Sequence, residues 1–174
     1  MTPDELAARA SIRVAIETYT SAGDRGALDE LTSAFTADGR LELFGRVCIG
    51  RAAIADALGR VVDPRCTGPD RRPLGFLRHH LTSSKVDLDD DGRSARGWTY
   101  FLVLTPIGLD HGGVYVDRFV PDGDRWAIAE RRIKVDWADP RSLVLASQVT
   151  GGWLPWGWAT PSTTPATSVR RSAS

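Results

Sequence analysis

His79, His80 and His111 are the side chains of this chain whose ordinary pKa lies nearest neutrality, so proton transfer is sought there first. His79 and His80 are neighbours on an expected strand, where successive side chains point to opposite faces, so at most one enters a given cavity. Leu77 and Leu81 put the odd face inward, whereas Val86 and Leu88 put the even face inward. A bulge near Ser83-Ser84 would reconcile the two. Asp24, beside Gly23 and Gly26, is the second candidate, and an Asp in that setting is usually a turn residue or cap. Tyr19, five residues earlier, either packs or aims its hydroxyl into a cavity. Tyr115, Asp117 and Arg118 share one expected strand, and Arg131 and Arg132 the next. Such charges commonly divide into one solvated face and one inter-strand salt bridge. The sequence has no Gly-rich phosphate loop, nucleophile elbow or HExxH. Cys48 and Cys66 are 18 apart without a CxxC or clustered histidines, so no metal is expected; two free buried thiols are the plain reading, with a disulfide left open.

These residues must be positioned by 174 residues, one ordinary domain with enough chain for a sizeable core. Lys plus Arg and Asp plus Glu both number 22, so no global field favours nucleic acid or an anionic membrane. The acidic start MTPDELAARA is no signal peptide, and no run of about 18 apolar residues exists, so a cytoplasmic protein is expected. Thr2-Pro3-Asp4-Glu5 predicts a capped helix start, and Ile12, Ile16 and Tyr19 keep helical spacing up to a stop near Ala22-Gly23. A short helix from Leu28 to Phe35, a strand around Leu41–Phe44 and a helix over 51–62 follow. After residue 76 only strands are expected, over 77–88, 94–105, 112–120 and 125–137, joined by tight turns as an antiparallel meander. Helices first and strands after is an α+β pattern. Residues 139–150 read as a short helix. Residues 151–161 hold Trp153, Trp156 and Trp158, and from Pro161 onward the composition predicts a disordered tail.

The Tyr-x4-Asp at the end of the first helix, the Arg-His-His strand start, GGVYVDR and the final WAIAERRIKVDW together resemble the SnoaL-like branch of the nuclear transport factor 2-like superfamily. The resemblance covers roughly residues 5–140. Members of that branch that it looks like are scytalone dehydratase, bile-acid 7α-dehydratase and hexachlorocyclohexane dehydrochlorinase. It implies a cone-like curved antiparallel sheet wrapped by N-terminal helices and enclosing one pocket, with residues 1–140 as the domain. Residues 141–160 would pack on the pocket or a neighbouring subunit, and 161–174 would be the tail. It also implies a homo-oligomer, most often a trimer.

Carried over residue by residue, the resemblance makes His80 the general acid/base, Asp24 the carboxylate that orients it and Tyr19 the polarising hydroxyl. Tyr115, Trp98, Tyr100, Phe101 and Arg131 would bind substrate. Where scytalone dehydratase has a second pocket histidine, the comparable strand end here offers Thr105, and Ser84 stands where relatives often have Asn. The implied activity is a cofactor-independent lyase of dehydratase type acting on a small cyclic hydrophobic substrate. The alternatives are an isomerase or cyclase of polyketide- or steroid-like substrates with the same pair, or a non-catalytic ligand-binding or accessory subunit.

Overall fold

The computed structural model describes residues 1–62, 75–90 and 92–145. Cys66, the tryptophan-rich segment and the expected tail lie outside these residues.

Helix α1 (Pro3–Arg25) starts as the sequence requires. Thr2 accepts from the Glu5 backbone N–H, Glu5 reaches back to the Thr2 N–H, and Pro3 occupies a position that needs no donor. The helix runs past Gly23, and Gly26 ends it in the left-handed conformation. Its buried face is Ile12, Ala15, Ile16, Tyr19, Ala22 and Gly23. Burying each large side chain of that face contributes about 1.5–3 kcal/mol, so this packing rather than propensity holds the helix on the sheet. Helix α2 (Leu28–Ser33) is shorter than expected, because Phe35 already begins strand β1 (Phe35–Leu43). Strand β2 (Arg46–Ile49) and helix α3 (Arg51–Val62) follow.

The four long strands are β3 (Arg78–Leu88), β4 (Ala95–Thr105), β5 (Gly108–Asp122) and β6 (Arg125–Ala138). They form an antiparallel meander, and the whole sheet has the order β2-β1-β6-β5-β4-β3. The sheet is curved and does not close. One pairing departs from the antiparallel expectation: β1 runs parallel to β6. The intervening chain makes that possible, since a parallel pair needs a long crossover and most of the molecule lies between these strands. Alternation on β4 is strict, with Ala95, Gly97, Thr99, Phe101, Val103 and Thr105 buried. Of these, Ala95, Phe101 and Val103 join Tyr115, Phe119, Ile128 and Leu41 against α1 in one core.

Irregularities in the ladders decide which side chains face that core. On β3 the register shifts between Leu81 and Ser84, so the odd face is inward before the shift and the even face after it. On β5, Val103 pairs His111 while Leu104 pairs Leu109, which leaves Asp110 as an extra residue. Gly113 lies where β6 presses against β5: a Cβ there would stand 2.0 Å from the Lys134 carbonyl oxygen, so no side chain fits. Beyond β6, residues 139–145 form turns rather than the expected helix.

Candidate active site

The last turn of α1 and the first residues of β3 meet at Asp24. Its two carboxylate oxygens accept the His79 backbone N–H at 3.1 Å each, and Oδ1 lies 2.7 Å from His79 Nδ1. Arg78 also donates to the Asp24 carbonyl oxygen, at 3.1 Å. The histidine is therefore held by main chain and side chain together. An ionised carboxylate only accepts hydrogen bonds, so the proton of a neutral His79 sits on Nδ1 and the lone pair on Nε2.

The expectation for His80 is corrected here. His80 is exposed and pairs with Leu102, whose side of the sheet is opposite to that of Phe101. His79 pairs with Val103 and lines the cavity. The odd-face signal from Leu77 and Leu81 decides this stretch, and the carried-over position was shifted by one residue.

The cavity holds about 650 Å³ of space free of protein atoms, its mouth included. Its wall is mostly apolar: Leu31, Leu43, Phe44, Leu58, Leu77, Phe101, Ile133, Val135, Val144 and Leu145 contribute, with Tyr19, His79, His111 and Tyr115 as the groups able to hydrogen-bond. Tyr19, Tyr115 and Phe101 thus occupy the wall. Trp98 and Tyr100 do not: both belong to the outward set of β4, Tyr100 is half exposed, and Lys85 Nζ lies 5.8 Å from the Trp98 ring centre. Period-two alternation excludes them from the face that Phe101 serves.

Arg131 points inward and Arg132 outward, where it meets Glu42. Arg131 lies behind the wall rather than on it. It is fully buried and bonds both oxygens of Asp117 through Nε and Nη2, at 2.8 and 2.7 Å. Its guanidinium stands 4.2 Å from the Tyr19 ring centre and 4.3 Å from that of Tyr115. Burial works against the arginine's charge, but the Asp117 carboxylate outweighs it and raises the pKa, so Arg131 stays charged. Nη1 has no hydrogen-bond partner among the described residues. Burial pushes the Tyr115 phenol well above its ordinary value, with Tyr19 adding to the effect; burial raises Tyr19 as well. Both therefore remain hydroxyl donors at neutral pH.

A second histidine, His111, to which the resemblance gave no role, reaches the cavity from β5. The extra residue at Asp110 lets two consecutive residues, Asp110 and His111, both turn inward. His111 Nδ1 lies 2.7 Å from Asp110 Oδ1. Asp110 also accepts from Ser142 Oγ at 2.5 Å, Leu143 N–H at 2.8 Å and Thr105 Oγ1 at 3.1 Å. Burial opposes the Asp110 charge, but the bonds from His111, Ser142 and Leu143 together outweigh it and hold the carboxyl below its usual range. Thr105 does end β4 where a second histidine was sought, yet its hydroxyl serves the carboxylate that holds His111 on the neighbouring strand. The adjacent Asp-His in the sequence was the available signal; the bulge that turns both inward is not visible in residue types. The same bonds fasten residues 139–145, so that Val144 and Leu145 form part of the wall.

Among the described residues no cluster of three or more His, Cys, Asp or Glu could hold a metal ion, and no helix is long and apolar enough to cross a membrane.

A SnoaL-like domain profile matches residues 4–132, so the chain belongs to the SnoaL-like domain family. The fold recurs in solved structures. A candidate scytalone dehydratase from Novosphingobium aromaticivorans is 17% identical, with 92% of this chain and 100% of that one covered and a TM-score of 0.71. The hexachlorocyclohexane dehydrochlorinase LinA-type3 from Novosphingobium barchaimii is 18% identical over 78% and 91%, with a TM-score of 0.65. A protein of unknown function from Mycobacterium tuberculosis is 25% identical over 78% and 77%, with a TM-score of 0.62. No curated protein matches the chain significantly.

Proposed function

We propose that this protein is a cofactor-independent lyase that eliminates a small leaving group from a small cyclic, largely apolar substrate, with His79 as the base and Asp24 as the residue that orients it. The observation that carries this reading is the Asp24–His79 pair, 2.7 Å apart, on the wall of an apolar cavity. The carboxylate fixes the tautomer that leaves Nε2 basic and stabilises the imidazolium once the proton has moved. Tyr19 and Tyr115, kept protonated by burial, supply hydrogen bonds to negative charge that develops on a substrate oxygen. Arg131 behind them holds the two rings and adds fixed positive charge. The dehydratase and dehydrochlorinase structures that share the fold support the same class of reaction.

The test is a panel of small cyclic β-hydroxy ketones and halogenated rings, followed by mass spectrometry. Loss of water or hydrogen halide by the wild type, lost in His79→Gln and Asp24→Asn, is the expected result. A product of unchanged mass would replace elimination by isomerisation or cyclisation at the same pair. Tight binding without any turnover would make the protein a ligand-binding or accessory subunit. The outward sheet face, with Tyr100 and Leu109 about half exposed, supports the proposed association of copies into a homo-oligomer, a trimer by resemblance.

A further inference from the structure

A second cavity lies on the same side of the sheet, between the first half of α1 and the edge strand β3. It shares no lining residue with the cavity that His79 serves, and it encloses about 720 Å³ free of protein atoms, its mouth included. Side-chain size and register account for the gap. The register of β3 shifts between Leu81 and Ser84, and past the shift the sheet presents Ser84, paired with Thr99 on β4. Both are short hydroxyl side chains, where larger apolar ones would have filled the layer under the helix. Ser84 Oγ lies 2.9 Å from Thr99 Oγ1, and Thr99 is only 1% exposed. Two hydroxyls joined by one hydrogen bond use one of their two hydrogens, so the other remains for a third group.

The helix supplies the charge. Arg9 lines this cavity half-buried, donates through Nη1 to the Val86 carbonyl oxygen at 2.5 Å, and makes no ion pair among the described residues. Arg13, one turn on, lines the same cavity, but its Nε is 2.8 Å from Glu17 Oε1. Arg13 and Glu17 therefore cancel, and Arg9 leaves the site with one net positive charge. A part-buried cation without a counter-ion has lost solvation that an anion can return. The bond to Val86 pins one end of the guanidinium, and its other N–H groups keep the fork geometry that matches a carboxylate. Ile16, Leu81 and Val86 make the rest of the lining apolar.

We propose that this cavity is a second ligand site, for a small organic monocarboxylate with a compact apolar body. The carboxylate binds the Arg9 guanidinium and takes a further hydrogen bond from the Ser84–Thr99 hydroxyl pair. The apolar body lies against Ile16, Leu81 and Val86. One negative charge balances the site, whereas the second charge of a phosphate monoester is left facing Glu17. An inorganic anion has nothing to set against the apolar lining. The site does not depend on the lyase reading, because no residue of it belongs to the His79 cavity.

Benzoate is the probe, titrated into the full-length ¹⁵N-labelled protein and followed by NMR, which tells the two cavities apart. The expected result is saturable shifts of the Arg13, Ser84 and Thr99 amides. Benzamide, the neutral molecule of the same shape, and inorganic phosphate are each expected to bind there at least about tenfold more weakly. Arg9→Met is expected to weaken benzoate by about tenfold or more, and Ser84→Ala by about threefold. Arg9 also holds the β3 edge, so thermal unfolding is followed for its variant; should Arg9→Met not fold, Ser84→Ala at its exposed position decides in its place. Shifts confined to His79, Phe101 and His111, or no saturable shift at all, overturn the proposal. So does benzamide or phosphate binding as tightly as benzoate, or wild-type affinity in the folded variant that decides. Each of these outcomes leaves the elimination reading at His79 untouched.

Discussion

Two charge pairs built from the same chemistry lie within this site. Asp24 and His79 come from different kinds of element, a helix end and the outermost strand of the sheet, and their side chains retain 13% and 18% of their exposure. Asp117 and Arg131 come from neighbouring central strands and retain none. The first pair has one nitrogen engaged and one to spare, on a wall that a ligand can reach. The second is engaged on both carboxylate oxygens and lies against two tyrosine rings, so it supports the wall from behind. Exposure and partner count divide the two: the pair proposed to move a proton stays near the cavity surface, and the pair behind the wall is sealed. A sealed charge without its partner is costly, and one that keeps contact with solvent is less so.

That contrast gives the largest expected effect. Asp117→Ala leaves the Arg131 charge buried and unpaired, and unfolding in urea is expected to show a loss of about 3–5 kcal/mol. The double variant Asp117→Leu, Arg131→Met is expected to be more stable than the single one, because it removes both charges and keeps the volume. A double variant as unstable as the single one would show that the pair contributes more than mutual neutralisation. Asp24→Asn is expected to do the opposite of Asp117→Ala: little change in stability, and elimination slowed by about 10²–10⁴-fold. A stability loss as large as that of Asp117→Ala would make Asp24 a structural residue and erase the comparison.

The Asp110 cluster sharpens it further, since it is sealed and bonded to a histidine that lines the cavity. Its carboxyl pKa is lowered in the folded state, below the ordinary 3.8. Its contribution is therefore complete above that value and is lost as pH falls through the folded pKa. Asp110→Asn is expected to flatten the acid limb of a stability-against-pH curve below about pH 4. An unchanged limb would show that the cluster's bonds persist when the carboxyl is protonated.

The smallest effect concerns the cavity mouth. Phe44 occupies the β1–β2 turn with φ of 50°, followed by Gly45 at 73°. A hairpin turn with two positive φ values favours Asn-Gly, and a bulky residue there is strained. Phe44 also lines the cavity. Phe44→Asn is expected to raise stability by about 0.5–1 kcal/mol and to weaken ligand binding, measured by thermal unfolding and calorimetric titration. Gain of stability with unchanged affinity would detach Phe44 from the site.

Much of the architecture is legible in the sequence. The Thr2 cap, the helical spacing of Ile12, Ile16 and Tyr19, the turn glycines and the period-two strands are local signals, fixed by neighbours in the chain. The β3 bulge was legible as well, because Leu77 and Leu81 disagree in face with Val86 and Leu88. Apolar patterning left the choice between His79 and His80 open; the resemblance assigned His80, and a residue matched by order along a strand has no protection against a shift of one. Trp98 and Tyr100 failed for a related reason, since aromatic character says that a residue packs and says nothing about which face it packs on.

Residue types and spacing by themselves determined that helices precede a long-stranded meander, and that Asp24, Tyr19 and a β3 histidine were the groups to watch. Only the tertiary structure decided which histidine Asp24 holds, that Arg131 belongs to Asp117 behind the wall, and that Asp110 and His111 both turn inward. These depend on inter-strand register. One inserted residue reverses the direction of every side chain after it, and the insertion is decided by pairing with strands distant in the chain.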